Sequence, residues 1–286
     1  MNHADVIVTG GSGYLGEFVL REFQRSGVSA LVLCRSDAAR HRVERYGASA
    51  IRWDLDTPED PPVRGRVLLH LAGIRYGSSL PRWVEACNAE QVVCVSSASA
   101  TVPGHPNEQM VLRGEMDAAS SPAQTTIVRP TMIFGGSRDR NVQVVYRALT
   151  RAPFVPRISG GQKIQPVLVD DLAGVLAELV QSASASARGT TLDYGGKTAV
   201  SLGRLVSDVS GLLGKRVMPL SIPVGRLARL LRASHMDTYH RYLHALSMLD
   251  SERVAADPDS MGFARRATEW PAALQLAVDR YRKGAD

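Results

Sequence analysis

Apolar residues in the first half of the chain fall in short continuous runs, separated by stretches where they recur at helical spacing. The run Asp5-Val6-Ile7-Val8 predicts a first strand, and Tyr14 to Arg25 an amphipathic helix. Val28 to Leu33 predicts a second strand, Ala38 to Tyr46 a helix, and Ala48 to Arg52 a third strand ending in Trp53-Asp54-Leu55. Val67 to Gly73 reads as a fourth strand and is followed by a brief helix near Pro81 to Asn88. Gln91 to Val95 is a fifth, and Thr125 to Val128 a sixth, ending at Arg129-Pro130. Strands that are apolar throughout, rather than at alternate positions, are covered on both faces. Alternating with helices, they predict an α/β protein with a doubly wound parallel sheet. Its binding site is expected along the carboxyl ends of the strands.

The second half loses this regularity. Asn141 to Arg151 and Asp171 to Ser182 read as helices, with a short strand near Val167 between them. A small-residue link over 182–189 leads to a strand at Thr190 to Tyr194. Ser201 to Leu213 predicts a helix with Ser201 as N-cap. Ile222 to Leu231, Thr238 to Leu249 and Pro271 to Arg282 have helical spacing. The expected division is a dinucleotide-binding domain over 1–135 and a smaller, helix-rich substrate region over 136–286. Residues 164–195 of the latter are expected to return to the sheet.

Composition changes this picture little. With 286 residues, 44% hydrophobic and 22% charged, the chain has ample material for a core. A net charge of +6 suits anionic ligands, and phosphorylated cofactors or substrates account for it. No basic tail points to nucleic acid. Cys34, Cys87 and Cys94 lack metal-type spacing, so buried reduced thiols are expected and no metal. No apolar run approaches the ~20 residues that span a bilayer. The first strand begins at once, leaving no room for a signal peptide, so a cytoplasmic location is expected.

Between the first strand and its helix lies Thr9-Gly10-Gly11-Ser12-Gly13-Tyr14-Leu15-Gly16. Strand, glycine turn and helix together form a phosphate cradle. Gly10 can take the angles of a tight turn, Gly13 admits a pyrophosphate where a Cβ would block it, and Gly16 lets the helix pack closely on its strand. The helix N-terminus aims N–H groups and a partial positive charge at the anion.

With these segments placed, the chain resembles the extended and atypical short-chain dehydrogenase/reductases, the group of nucleotide-sugar epimerases and dehydratases, which share a Rossmann-like fold. Thr9 through Gly16 matches the family's cofactor loop, and Asp54-Leu55 its acidic-apolar pair against the adenine. His70-Leu71-Ala72-Gly73 matches the strand end along the cofactor, and Val128-Arg129-Pro130-Thr131-Met132-Ile133-Phe134-Gly135 the segment near the nicotinamide. Gln165 through Ala173 resembles the segment returning from the substrate region. The resemblance implies cofactor contacts from Gly10, Ser12, Gly13, Tyr14, Leu15, Gly16, Arg35, Ser36, Asp54, Leu55, Leu71, Ala72, Gly73, Ser97, Pro130 and Thr131. An acidic residue after the second strand would favour NAD. Arg35 and Ser36 stand there instead and suit the 2′-phosphate of NADP, with NAD as the alternative.

The chain departs from the family where the chemistry lies. The family's Tyr-x-x-x-Lys pair occurs nowhere; its tyrosine position falls on Asn107, its lysine position on Val111, with Glu115 matching a family glutamate. Ser99 falls on the catalytic serine position. Tyr76, after the fourth strand, and His105, just past Ser99, are the candidate proton donors. Arg113 could place a cation near the lysine position, and Lys163 and Asp170 are further candidates in the second half. Ser137-Arg138-Asp139-Arg140-Asn141 either caps the following helix or reaches an anionic ligand. Arg226, Arg229 and Arg232 recur at three-residue spacing beside leucines, as on an amphipathic surface helix, a diphosphate grip or a helix lying on an anionic membrane. The expected activity is an NAD(P)-dependent oxidoreductase or epimerase acting, with a non-standard proton donor, on a carbonyl or alcohol of a small-molecule or sugar-type substrate; anionic substrates and a homodimer are among the expected partners. The alternatives are a dinucleotide-binding structural or sensing protein without turnover, and a non-redox cyclase or isomerase on the same fold.

Overall fold

The computed structural model describes residues 2–151, 155–159, 163–181, 189–223, 226, 255, 258–264 and 266–284. The helix expected over Thr238 to Leu249, the link at 182–188, Arg229 and Arg232 lie outside them. The strands are β1 (Asn2–Thr9), β2 (Ala30–Cys34), β3 (Ser49–Arg52), β4 (Val63–His70), β5 (Gln91–Val95) and β6 (Gln124–Pro130). They continue with β7 (Ile133–Phe134), β8 (Val155–Ser159), β9 (Lys163–Ile164), β10 (Val167–Leu168), β11 (Thr191–Tyr194), β12 (Val200–Ser201) and β13 (Val217–Pro223). The α-helices are α1 (Tyr14–Ser26), α2 (Asp37–Glu44), α3 (Leu80–Cys87), α4 (Glu108–Ala119), α5 (Val142–Arg151), α6 (Val169–Gln181), α7 (Leu202–Leu212) and α8 (Trp270–Lys283).

The chain forms two compact units. The first holds residues up to Pro130, Asp170–Tyr194 and a short segment at Phe263. Its seven strands are ordered β11-β6-β5-β4-β1-β2-β3, and every neighbouring pair is parallel. The sheet is Rossmann-like, as the uninterrupted apolar runs predict: all five residues of β2 and of β5 are buried. β1 starts earlier than its apolar run because exposed Asn2 and His3 still pair with Val63 and Arg64 of β4. β2 starts later than Val28, whose N–H instead donates to Phe23 and closes α1 behind the left-handed Gly27. The core beneath the sheet's carboxyl end is built on Trp53 and Trp83, whose rings meet edge to face at 5.3 Å.

The second unit packs α5, α7 and α8 around Phe134, Leu205, Val209, Trp270 and Val278. Ser201 caps α7 by accepting from the Arg204 N–H. β8 and β13 pair in parallel, so Ile222 and Pro223 end a strand where helical spacing predicted the start of a helix. Prolines inside both runs, Pro156 and Pro219, hide them from strand patterning.

Candidate functional site

The chain leaves β1 toward β2 on one side, while β4 lies on the other. In parallel sheets such a reversal of strand order is where a ligand crevice is expected, here between the carboxyl ends of β1 and β4. The glycine turn fills one wall. Gly10 sits at φ +73°, and the Gly13 N–H donates to the Gly10 carbonyl at 2.9 Å. A Cβ on Gly10 would lie 2.6 Å from the Ala72 nitrogen, so only glycine lets the two walls meet. A Cβ on Gly16 would lie 2.4 Å from the Gly11 carbonyl oxygen. Gly16 therefore serves close packing against the turn itself, rather than against the strand as its spacing suggested. Gly13 meets only the Gly10 oxygen, at 3.0 Å, and is otherwise open. It is the N-cap residue of α1 and, being glycine, offers no side-chain cap. Ser12 and Tyr14 are half-buried beside it, and Leu15 is buried.

The other wall is fixed by His70, which is fully buried. Its Nε2 lies 3.0 Å from the Gly73 carbonyl, which can only accept, so Nε2 carries the proton. Nδ1 then accepts from the Thr9 hydroxyl at 2.7 Å. Leu71 donates its N–H to the Thr9 carbonyl, and Gly73 takes φ +102°. Burial pushes the imidazole down to about 4, outweighing the opposing bond to Gly73. The unfolded chain thus takes up this proton near the ordinary imidazole value of 6.5, the native chain only near 4. Stability from this group is complete above the higher value and falls away between the two, by on the order of 3 kcal/mol. His70→Phe should therefore flatten the dependence of unfolding free energy on pH in that window by about one proton, as urea titrations would show.

At the sheet's far edge, Arg35 is exposed and makes no ion pair among the described residues. The Ser36 hydroxyl caps α2 by accepting from the Ala39 N–H at 3.3 Å and keeps its own proton to donate. Asp37 lies 4.0 Å from Arg52. Asp54 is exposed and accepts from the Asp56 N–H, while Leu55 packs on the core.

Beyond β5, Ser97 caps the short helix Ala98–Thr101 by accepting from the Ser99 N–H, and it also accepts from the Ser99 hydroxyl at 2.9 Å. Ser99 is only 3% exposed, whereas Ser97 is half-buried. Of the two, Ser97 is the hydroxyl that reaches the surface, with its own proton to give. Tyr76 packs its ring beside His70 and Trp83 and donates its hydroxyl to Asp56 at 3.1 Å, with Arg75 donating to it. His105 accepts at Nδ1 from the Asn107 N–H. Val111, expected at the family's lysine position, is buried, and Asn107, expected at its tyrosine position, is exposed. Arg113 is turned to Asp117. A buried network that spacing does not reveal lies next to these groups: Glu115 accepts from Ser96 at 2.5 Å and, through both oxygens, from Arg129.

Within the second unit, Thr131 donates its hydroxyl to the Gln165 carbonyl. Asp139 is buried and accepts from the N–H groups of Gly135, Asn141 and Gln143 and from the Tyr281 hydroxyl, so it caps α5. Lys163 is exposed in β9, whereas Asp170, in the first turn of α6, belongs to the first unit. Pro130, in the first unit, is buried at the end of β6. The three cysteines are buried, and burial raises their thiols, to about 11 for Cys34 and about 12 for Cys87. No described helix is long and apolar enough to cross a membrane.

No protein-family model matches the chain. It is 28% identical to a ceramide reductase of Caulobacter vibrioides over 189 residues, 60% of this chain and 59% of that protein. It is 23% identical to the mitochondrial NADH dehydrogenase (ubiquinone) 1 alpha subcomplex subunit 9 of Dictyostelium discoideum over 203 residues, 63% of this chain and 56% of that one. The chain thus spans less than two thirds of the length of the curated relatives it matches. Among solved structures it is similar to the triphenylmethane reductase of Citrobacter sp., at TM-score 0.76 and 16% identity over 96% of this chain and 99% of that one. It is also similar to the NADPH-dependent quinone oxidoreductase of Escherichia coli, at TM-score 0.72 and 17% identity over 96% and 98%. These likenesses show the fold alone, the Rossmann-like parallel sheet that the chain shares with that reductase and that quinone oxidoreductase.

Proposed function

We propose that the chain binds a nicotinamide dinucleotide in the crevice between β1 and β4 and works as an oxidoreductase or epimerase on a carbonyl or alcohol of a small-molecule substrate. The observation that carries this reading is the glycine turn at the head of α1, where a Cβ on Gly10 would lie 2.6 Å from the Ala72 nitrogen while one on Gly13 would meet only the Gly10 oxygen, at 3.0 Å. The cofactor, when bound, supplies a hydride donor or acceptor. Ser97, held from behind by Ser99, orients the reacting oxygen and donates a hydrogen bond to it. Tyr76 and His105 are the candidate proton donors. The similarity to proteins named as reductases of ceramide and of triphenylmethane dyes puts ceramide-like and triphenylmethane compounds first in a substrate panel. NADP is favoured over NAD because Arg35 stands exposed after β2 with a serine hydroxyl beside it. Titration with NADPH and NADH, followed by nicotinamide fluorescence and melting temperature, tests both points. Arg35→Glu should weaken NADPH about tenfold or more and leave NADH unchanged. No response to either nucleotide at millimolar concentration overturns the reading.

A second reading is favoured by one specific observation: Val111 is buried at the lysine position, and no Tyr-x-x-x-Lys stands elsewhere. The chain would then hold the dinucleotide without turning it over. Binding with no exchange of isotopic hydride across the substrate panel decides for it.

A further inference from the structure

Two buried polar side chains join the walls of the crevice, and neither has a part in hydride chemistry. Thr9 is the last residue of β1 and is 1% exposed; His70 is the last of β4 and is fully buried. Adjacent parallel strands already share a backbone ladder here, with Leu71 donating to the Thr9 carbonyl. A buried hydroxyl and a buried imidazole are costly to place unless both are satisfied. Here they satisfy each other, and the remaining ring N–H goes to the Gly73 carbonyl. The acceptor matters because Gly73 sits at φ +102° and ψ 139°, a conformation closed to other residues, and a Cβ there would meet nothing within 4 Å. Neighbouring bulk does not hold Gly73 in that conformation. The Gly73 carbonyl accepts instead from His70 Nε2 and from the Tyr76 N–H at 3.3 Å.

The hydrogen-bond directions allow one arrangement. Gly73 can only accept, so Nε2 is protonated, Nδ1 is a lone pair, and Thr9 must donate. The hydroxyl next to Gly10 is thereby coupled through one neutral ring to the shape of Leu71-Ala72-Gly73. That segment is the surface against which Gly10 packs, its missing Cβ lying 2.6 Å from the Ala72 nitrogen. Loosening the ring on either side would let the two walls of the crevice move independently.

We propose that Thr9 and His70 are a positioning pair that sets dinucleotide affinity by holding Leu71-Ala72-Gly73 against the glycine turn. The proposal rests on the dinucleotide reading of the crevice and adds to it a cause of affinity that touches no ligand atom. The pair lies at the ends of β1 and β4, whereas the adenosine end of the ligand is assigned to the ends of β2 and β3. It should therefore act on the whole dinucleotide and spare an adenosine fragment.

The test measures calorimetric Kd for NADP, for NAD, and for the fragments 2′,5′-ADP and 5′-AMP. It uses wild type, Thr9→Val and Thr9→Ser, all well below their melting temperatures. Thr9→Val keeps the shape and loses the donor, and it should weaken the preferred dinucleotide about tenfold. Thr9→Ser keeps the donor and should stay within about threefold of wild type. Fragment affinity should be unchanged in both. If Thr9→Val binds the dinucleotide as wild type does, or loses fragment and dinucleotide equally, the pair is merely structural and the proposal is overturned. If wild type binds neither dinucleotide, the reading of the crevice falls first and the positioning role falls with it. Should Thr9→Val not fold, His70→Asn carries the same test. Its amide reaches the Nδ1 position but not Gly73, and the same selective loss is expected.

Discussion

Glu115→Ala is expected to destabilise the first unit by about 3–5 kcal/mol, the cost of stripping one partner from a buried ion pair. The Glu115 side chain is 6% exposed and that of Arg129 18%. Both carboxylate oxygens accept from the guanidinium, at 2.9 and 2.5 Å, and one also accepts from Ser96. The pair therefore ties the end of β5 to α4 and β6, and Arg129 reaches Asp193 of β11 at 3.7 Å. The bonds to Glu115 come first among the causes that hold the Arg129 guanidinium above its ordinary value. Removing the carboxylate leaves that cation without its bidentate partner and Ser96 without its acceptor. Urea unfolding of Glu115→Ala, Arg129→Met and the double variant should show the double losing less than the sum of the singles. The exposed Arg113–Asp117 pair on the same helix is the control, with Arg113 75% exposed, and breaking it should cost under about 1 kcal/mol. A loss for Glu115→Ala as small as that of the control would remove the pair from any account of how the strand ends are held.

This pair also shows where sequence reading stops. β1, β2, β4 and β5 are legible because burial on both faces demands apolar residues at consecutive positions. α4 is not. Its buried positions are Val111, Gly114, Glu115 and Ala118, while Met110, Leu112 and Met116 face solvent. A glutamate and a glycine on the inner face invert the pattern that periodicity looks for. Gly114 is there because a Cβ would lie 2.2 Å from the Ile74 carbonyl oxygen, and one on Gly77 would lie 1.9 Å from that of Gly114. That close approach of two backbones joins residues far apart in sequence, so no local spacing reports it. The serine cluster has the same limit. Matching positions picks out Ser99, but only the turn of Ala98–Thr101 shows that Ser99 points inward at Ser97.

The glycine turn is legible because each of its glycines has a local cause, and those causes predict opposite phenotypes. Gly16→Ala places a Cβ 2.4–2.5 Å from the oxygen, carbon and Cα of Gly11. These are backbone atoms that cannot swing aside, so overpacking of on the order of 3 kcal/mol is expected, together with a clear fall in melting temperature. Gly13→Ala is different. Gly13 has φ −76° and ψ 179°, which any residue adopts, and its Cβ would meet only the Gly10 oxygen at 3.0 Å. A shift of a few tenths of an ångström relieves that contact, so stability should change by less than about 1 kcal/mol. The same Cβ would stand at the mouth of α1, where a pyrophosphate must approach the backbone. Dinucleotide affinity in Gly13→Ala should therefore fall by about thirtyfold or more, roughly 2 kcal/mol, with the fold intact. Titration with NADPH and NADH beside a melting curve reads both quantities on one sample. Normal binding by Gly13→Ala would move the pyrophosphate away from the head of α1, and with it the cofactor from the crevice between β1 and β4.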